Sequence, residues 1–226
     1  MEFLGPGDFA ETAQAPPLGD DIHLWLLPWS RLEGKTAESP AVRARLADYL
    51  GTTSDALRID YDVHGKPRII GHALEFNASH SADRLLIAVS RGQPLGVDIE
   101  TNRRERPWIE LARRFFTPDE TAALQSAAPA AQRGIFLALW SCKEAVLKAH
   151  GTGIRFGLQR VEFSLDDRGA VAALRAIGAE AGQAAQWNVI GLAPDTGSVG
   201  ALAWHGPARR VRAFTPARAQ SGYAKT

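Results

Sequence analysis

Two spacings of apolar residues alternate along the chain. Where apolar positions recur every three or four residues they predict helices. Val42, Leu46, Tyr49 and Leu50 follow Ser39-Pro40, an N-cap with proline at the first helical position, and run up to Gly51. Trp108 to Phe116 repeats that spacing, and Thr117-Pro118-Asp119-Glu120, with the composition of a capping box, opens another helix. After Pro129 a long helix is expected from roughly Ala130 to His150, stopped by Gly151. Elsewhere the apolar runs are short and bounded by turn residues, which predicts strands. They are Ile22 to Leu27, Ala56 to Asp62, Pro67 to Ile70, Leu85 to Ser90, Leu95 to Glu100, Val161 to Leu165, Ala170 to Leu174, Gln186 to Leu192 and Ser198 to Trp204. The turn at Arg91 to Pro94 is expected to fold Leu85–Ser90 and Leu95–Glu100 into an antiparallel hairpin. Phe76 to Ser81 (FNASHS) reads as polar and turn-prone.

The fold class is therefore α+β, each half a small, mainly antiparallel sheet packed with helices. Residues 20–102 form one lobe and 103–205 the other, with the charged run Asn102 to Arg106 at the junction. Residues 1–19, rich in Pro, Gly and Ala, are expected to be an irregular lead-in. Residues 206–226 carry Arg209, Arg210, Arg212, Arg218 and Lys225 without one acid, and are expected to be a basic, flexible tail.

Composition narrows the classes. With 45% hydrophobic residues over 226 positions there is material for a substantial core. A single cysteine, Cys142, excludes a disulfide framework and suits a reducing compartment. Neither a signal-peptide core nor an apolar run of bilayer length is present, so a cytoplasmic protein with no membrane partner is expected. A net charge of +1 supplies no broad field for nucleic acid, so any anion must be held by locally placed Lys, Arg and His.

Two stretches bring chemistry. On the long helix Trp140, Glu144 and Lys148 recur every four residues and share a face. On the strand Leu95–Glu100, Asp98 and Glu100 lie two apart and point to one side, with Val97 and Ile99 facing a core. If helix and strand pack together, three carboxylates and a lysine meet, the hard oxygen set that a divalent cation on a phosphate ester requires. Each piece has a plainer account: a solvated strand face for the two acids, and for Glu144 and Lys148 a surface pair worth roughly 0.3–0.5 kcal/mol. The indole on the same stripe weighs against the second. His80, between Ser79 and Ser81, either sits in a satisfied turn or, with Lys66 on a nearby loop, makes a phosphate seat.

The order N-x-S-H-S (Asn77 to Ser81), G-V-D-I-E (Gly96 to Glu100), R-F-F-T-P-x-E (Arg114 to Glu120) and W-S-C-K-E-A-x-x-K (Trp140 to Lys148), then G-x-G (Gly151 to Gly153), resembles the 4'-phosphopantetheinyl transferases, and within them the monomeric surfactin-synthetase type. The similarity runs from about Arg43 to Phe163. It implies a pseudo-twofold pair of similar lobes with the active site in the cleft between them and coenzyme A as co-substrate. It implies Mg²⁺ (or Mn²⁺) on Asp98, Glu100 and Glu144, and Lys148 near the pyrophosphate. Ser79 and His80 would lie near the 3'-phosphate, and Lys66, in Gly65 to Pro67, would touch the cofactor. Arg43 is a further candidate phosphate contact. Asp98, Glu144 and Lys148 would be catalytic, with Glu144 or a metal-bound water as base. The implied reaction moves phosphopantetheine onto a serine of an acyl or peptidyl carrier protein and releases 3',5'-ADP. An acidic carrier suits Phe115 or Phe116 with Arg103, Arg104 and Arg106. The same acids would also serve a Mg²⁺-dependent pyrophosphate hydrolase, and a non-catalytic carrier-binding homologue would keep only the fold.

Overall fold

The computed structural model describes residues 1–30, 35–101 and 106–217. Its strands are β1 (Glu2–Leu4), β2 (Phe9–Thr12), β3 (Ile22–Pro28), β4 (Ile59–Tyr61), β5 (Pro67–Ile69), β6 (Leu74–Ser81), β7 (Arg84–Arg91), β8 (Leu95–Thr101), β9 (Val161–Leu165), β10 (Val171–Ile177), β11 (Trp187–Asp195), β12 (Ser198–His205) and β13 (Val211–Pro216). Its α-helices are α1 (Pro40–Leu50), α2 (Trp108–Phe115), α3 (Pro118–Ser126) and α4 (Pro129–His150). The chain is α+β, as the apolar spacing predicts.

The helices begin and end where their caps place them. Ser39 accepts the Val42 amide and Gly51 ends α1 in the left-handed region. Thr117 and Glu120 form a reciprocal capping box on α3. Pro129 is the first residue of α4, and Gly151 closes that helix with φ 91°.

Two mixed sheets carry the core. One has the order β2-β13-β3-β7-β6, the other β1-β11-β12-β8. Side-chain alternation divides the apolar residues into layers. Leu85, Ile87 and Val89 of β7 pack with Val42 and Leu46 of α1 on one face of the first sheet. Leu86 and Ala88 turn the other way, to meet Val97 and Ile99 of β8 and Leu202 of β12 between the sheets. The outer face of the second sheet, through Ala201 and Ala203, carries Ala145 and Val146 of α4. Helix, sheet, sheet and helix thus stack in that order.

Four expectations are corrected. The acids do not arrive on a hairpin: β7 pairs with β3 and β6, whereas β8 leaves for the other sheet and pairs with β12. FNASHS is not a turn but lies in β6, an edge strand, and the turn follows at Ala82, where φ is 52°. Its polar residues escaped the strand pattern because their partners lie on β8. The supposed irregular lead-in contains β1 and β2, and the supposed flexible tail contains β13, which pairs in parallel with both β2 and β3. Arg218 and Lys225 lie outside the described residues, as do Arg103 and Arg104.

Candidate active site

The site forms where the free edge of β8 faces the edge strand β6 and α4 crosses behind. Gly96 makes the helix approach possible: a Cβ there would lie 2.2 Å from the Ala145 carbonyl oxygen and 2.3 Å from the Ala149 nitrogen. With Val97 and Ile99 committed to the core between the sheets, Asp98 and Glu100 must face α4, which presents Glu144 and Lys148.

Asp98 is 5% exposed. Its Oδ1 accepts from Lys148 Nζ at 2.7 Å and from Ser79 Oγ at 2.9 Å, while its buried Oδ2 has no partner. Lys148 Nζ also donates to Ser79 Oγ at 3.0 Å and to the Val97 carbonyl at 3.1 Å. Glu100 Oε2 accepts from Ser81 Oγ at 3.3 Å, and Glu144 Oε1 is buried without a partner. Burial raises the Glu144 carboxyl to about 7; the charges of Asp98 and Glu100 push the same way, and Lys148 opposes them. Burial and Asp98 also raise Glu100. Helix acid and strand acids therefore share one electrostatic neighbourhood.

The donor set is hard oxygen throughout, and two of the three carboxylates, Asp98 and Glu144, keep an unpartnered buried oxygen. In kind this fits Mg²⁺ or Mn²⁺. The residues nevertheless do not stand as a ready coordination shell. Among the described residues no group of three His, Cys, Asp or Glu side chains is placed to hold an ion. At Asp98 the neutralising charge comes from the Lys148 ammonium at 2.7 Å.

Beside these groups opens a pocket of about 280 Å³, lined by Lys35, Thr36, Tyr61, Lys66, Asn77 and Lys148 among others. Lys66 reaches it from the β4–β5 hairpin. Its Nζ donates to the carbonyls of Ala149 (2.9 Å) and Leu95 (3.3 Å), and burial lowers its proton affinity to about 8. His80 stacks on Trp29 with ring centroids 4.4 Å apart, and its Nδ1 pairs with Thr36 Oγ1 at 2.8 Å. Burial and Lys148 lower its pKa. Arg43 lies apart from this group. Its guanidinium donates to the carbonyls of Ser54 and Leu57 and ties α1 to the following turn. Arg43 is not among the described residues that line the pocket. Sequence reading missed Lys35, Thr36 and Tyr61 as lining residues, since none carries a spacing signal, and did not separate Asn77 from its motif.

Lys143, one step around α4 from Glu144, turns fully inward. It pairs with Glu120 at 2.7 Å and donates to the carbonyls of Leu158 and Val161. Trp140 packs edge-on against Phe115 and stacks on Phe136, an anchor in the core. Phe116, offered above as a surface residue, is 2% exposed and stacks on Phe136. Of that candidate surface the described residues include the half-buried Phe115 and the exposed Arg106, and the exposed Arg113 and Arg114 lie beside Phe115 in sequence.

Comparison with known proteins agrees with this geometry. The sequence model of the 4'-phosphopantetheinyl transferase superfamily matches residues 94–192, which contain the acids and the lysine. The chain is 31% identical over 218 residues to the 4'-phosphopantetheinyl transferase HetI of Nostoc sp., covering 82% of this chain and 88% of that one. It is 34% identical over 131 residues to a 4'-phosphopantetheinyl transferase of Bacillus subtilis, covering 58% and 57%. A putative 4'-phosphopantetheinyl transferase of Synechocystis sp. is 36% identical over 124 residues, covering 54% and 50%. A match of that extent, through a stretch that brings Asp98, Glu100, Glu144 and Lys148 together, means that the chain belongs to the 4'-phosphopantetheinyl transferase superfamily.

Proposed function

We propose that this protein transfers the 4'-phosphopantetheine group of coenzyme A to a serine hydroxyl of an acyl or peptidyl carrier protein, releasing 3',5'-ADP. The observation that carries the reading is the Lys148–Asp98 pair, with Glu144 and Glu100 in the same electrostatic neighbourhood, beside a pocket bordered by two further lysines. Asp98, Glu100 and Glu144 would hold Mg²⁺, which when bound neutralises charge on the pyrophosphate oxygens. Lys148, freed from Asp98, is within reach of the same oxygens. The serine proton would pass to Glu144 or to a water held at the same site as the β-phosphorus is attacked. Lys66 and Lys35 border the pocket for the nucleotide phosphates, and His80, fixed by Trp29 and Thr36, faces the 3'-phosphate. Positioning supplies most of the remaining rate.

In this reading the protein works as a monomer of two similar lobes. Arg106, Arg113 and Arg114 beside Phe115 suit an acidic carrier. Among the described residues no helix is long and apolar enough to cross a membrane.

The test is to incubate the protein with coenzyme A, Mg²⁺ and an apo carrier and weigh the carrier. A gain of one phosphopantetheine supports transfer. Free phosphopantetheine with an unmodified carrier would replace it with hydrolysis, and binding without either product would leave a carrier-binding homologue. Asp98→Ala or Glu144→Ala should lower the transfer rate by at least about a thousandfold in a folded protein. Full activity in either would remove the metal assignment.

A further inference from the structure

The acid strand β8 has an unusual free edge. Its other edge is laddered to β12, with Val97 opposite Leu202 and Thr101 opposite Ser198. On the side facing β6 no strand among the described residues pairs with it, yet four of its backbone groups are met by side chains. The Leu95 carbonyl accepts from Lys66, and the Val97 carbonyl from Lys148. The Val97 amide donates to Asn77 Oδ1 at 2.9 Å, and the Thr101 amide to Ser81 Oγ at 3.1 Å. Two of these partners, Asn77 and Ser81, come from β6. Ser79 between them reaches Asp98 instead, and Ser81 touches Glu100 Oε2 and Thr101 Oγ1 (3.2 Å) as well.

Asn77, Ser79 and Ser81 are separated by two residues each, so a single face of β6 carries all three. Asn77 and Ser79 are 6% and 8% exposed. A buried amide and two hydroxyls on one edge, each matched to a group on the facing edge, join the two strands where no backbone ladder does. A backbone ladder would have closed the gap and removed the space in which the acids stand.

We infer that Asn77 and Ser81 are positioning residues: with Ser79 they stitch β8 to β6 and set the angle at which Asp98 and Glu100 enter the site. Asn77 fixes the strand on one side of Asp98, and Ser81 fixes it beyond Glu100. The stitch is a statement about this fold alone; its consequence for an ion rests on the metal reading above.

Ser81 lies outside the pocket lining, so it is the residue to change. In metal-free protein, Ser81→Ala should raise amide hydrogen exchange at Thr101 about tenfold, the loss expected for one buried hydrogen bond. Leu86 and Ile87 on β7 should keep their protection. The same variant should bind Mn²⁺ alone, without coenzyme A, about five- to tenfold more weakly by electron paramagnetic resonance titration. Ser81→Thr, which retains the hydroxyl, should restore both. If Ser81→Ala does not fold, Ser81→Cys, slightly larger and a weak hydrogen-bond acceptor, takes its place. Unchanged exchange at Thr101 overturns the stitch. Faster exchange with wild-type Mn²⁺ affinity overturns the positioning role. Faster exchange in a protein whose wild-type form binds no Mn²⁺ supports the stitch while removing the metal reading.

Discussion

Lys143 and Glu120 show how an acid and a base outside the reaction can still belong to its motif. Both are buried, and every hydrogen-bonding atom of the pair has a named partner: Glu120 Oε1 takes the Phe163 amide and Oε2 the Thr117 amide. Truncating Lys143 to Ala would leave a buried carboxylate uncompensated, so it should cost about 3–5 kcal/mol in urea unfolding. The double change Lys143→Met with Glu120→Leu should cost much less. His23 gives a second test. Its ring is fully buried, Nδ1 pairs with Tyr49 Oη at 2.7 Å, and burial, reinforced by Arg212 and opposed by Asp21, lowers its pKa to about 4. The unfolded chain binds a proton near 6.5 that the folded one refuses. Stability is therefore full above about 6.5 and should fall as pH drops from there toward 4, by about 3 kcal/mol for this residue. His23→Gln should flatten that part of the profile. At this scale the sequence was readable where parity decides: two residues apart on a strand, Asp98 and Glu100 had to share a side. It was unreadable for Arg43, because nothing in helical spacing distinguishes a guanidinium bound to carbonyls from one awaiting phosphate.

Elements were legible in proportion to how local their causes are. Helix ends are written in caps a few residues long: Ser39 and Gly51 bracket α1, Thr117 with Glu120 opens α3, and Gly151 closes α4. Strand partners are not local. The pattern of Leu95 to Glu100 says which way each side chain points but not which strand lies alongside, so pairing with β12 could not be read. FNASHS was hidden for the same reason, since its polar face is satisfied by another strand's edge. The contact of α4 with β8 depends on one missing side chain. Gly96→Ala would drive a methyl into backbone atoms at 2.2 and 2.3 Å that have no rotamer to yield. The expected result is a loss of at least about 3 kcal/mol, read by thermal or urea melting, and separation of Glu144 from the strand acids. Losing the capping box by Thr117→Val is a milder matter, about 1 kcal/mol.

For the whole molecule the decisive strands are those at the ends of the chain. β1 borders the second sheet, while β13 lies inside the first, between β2 and β3. Neither was expected, because a three- or six-residue segment with mixed polarity carries little pattern of its own and takes its conformation from neighbours far away in sequence. Phe214 on β13 packs against Trp25 and His23, so this strand fills the core as well as the sheet. A chain ending at Arg210 should lack a cooperative melting transition by circular dichroism, although every residue of the active site remains. The placement of β13 also bears on how the protein is made. Its slot stays empty until residues 211–216 have left the ribosome, with β2 on one side and β3 on the other having nothing to hold them together. Closure of the sheet thus waits on a segment synthesised long after both of its neighbours, and a nascent chain stalled short of that segment would present two open β edges to its surroundings.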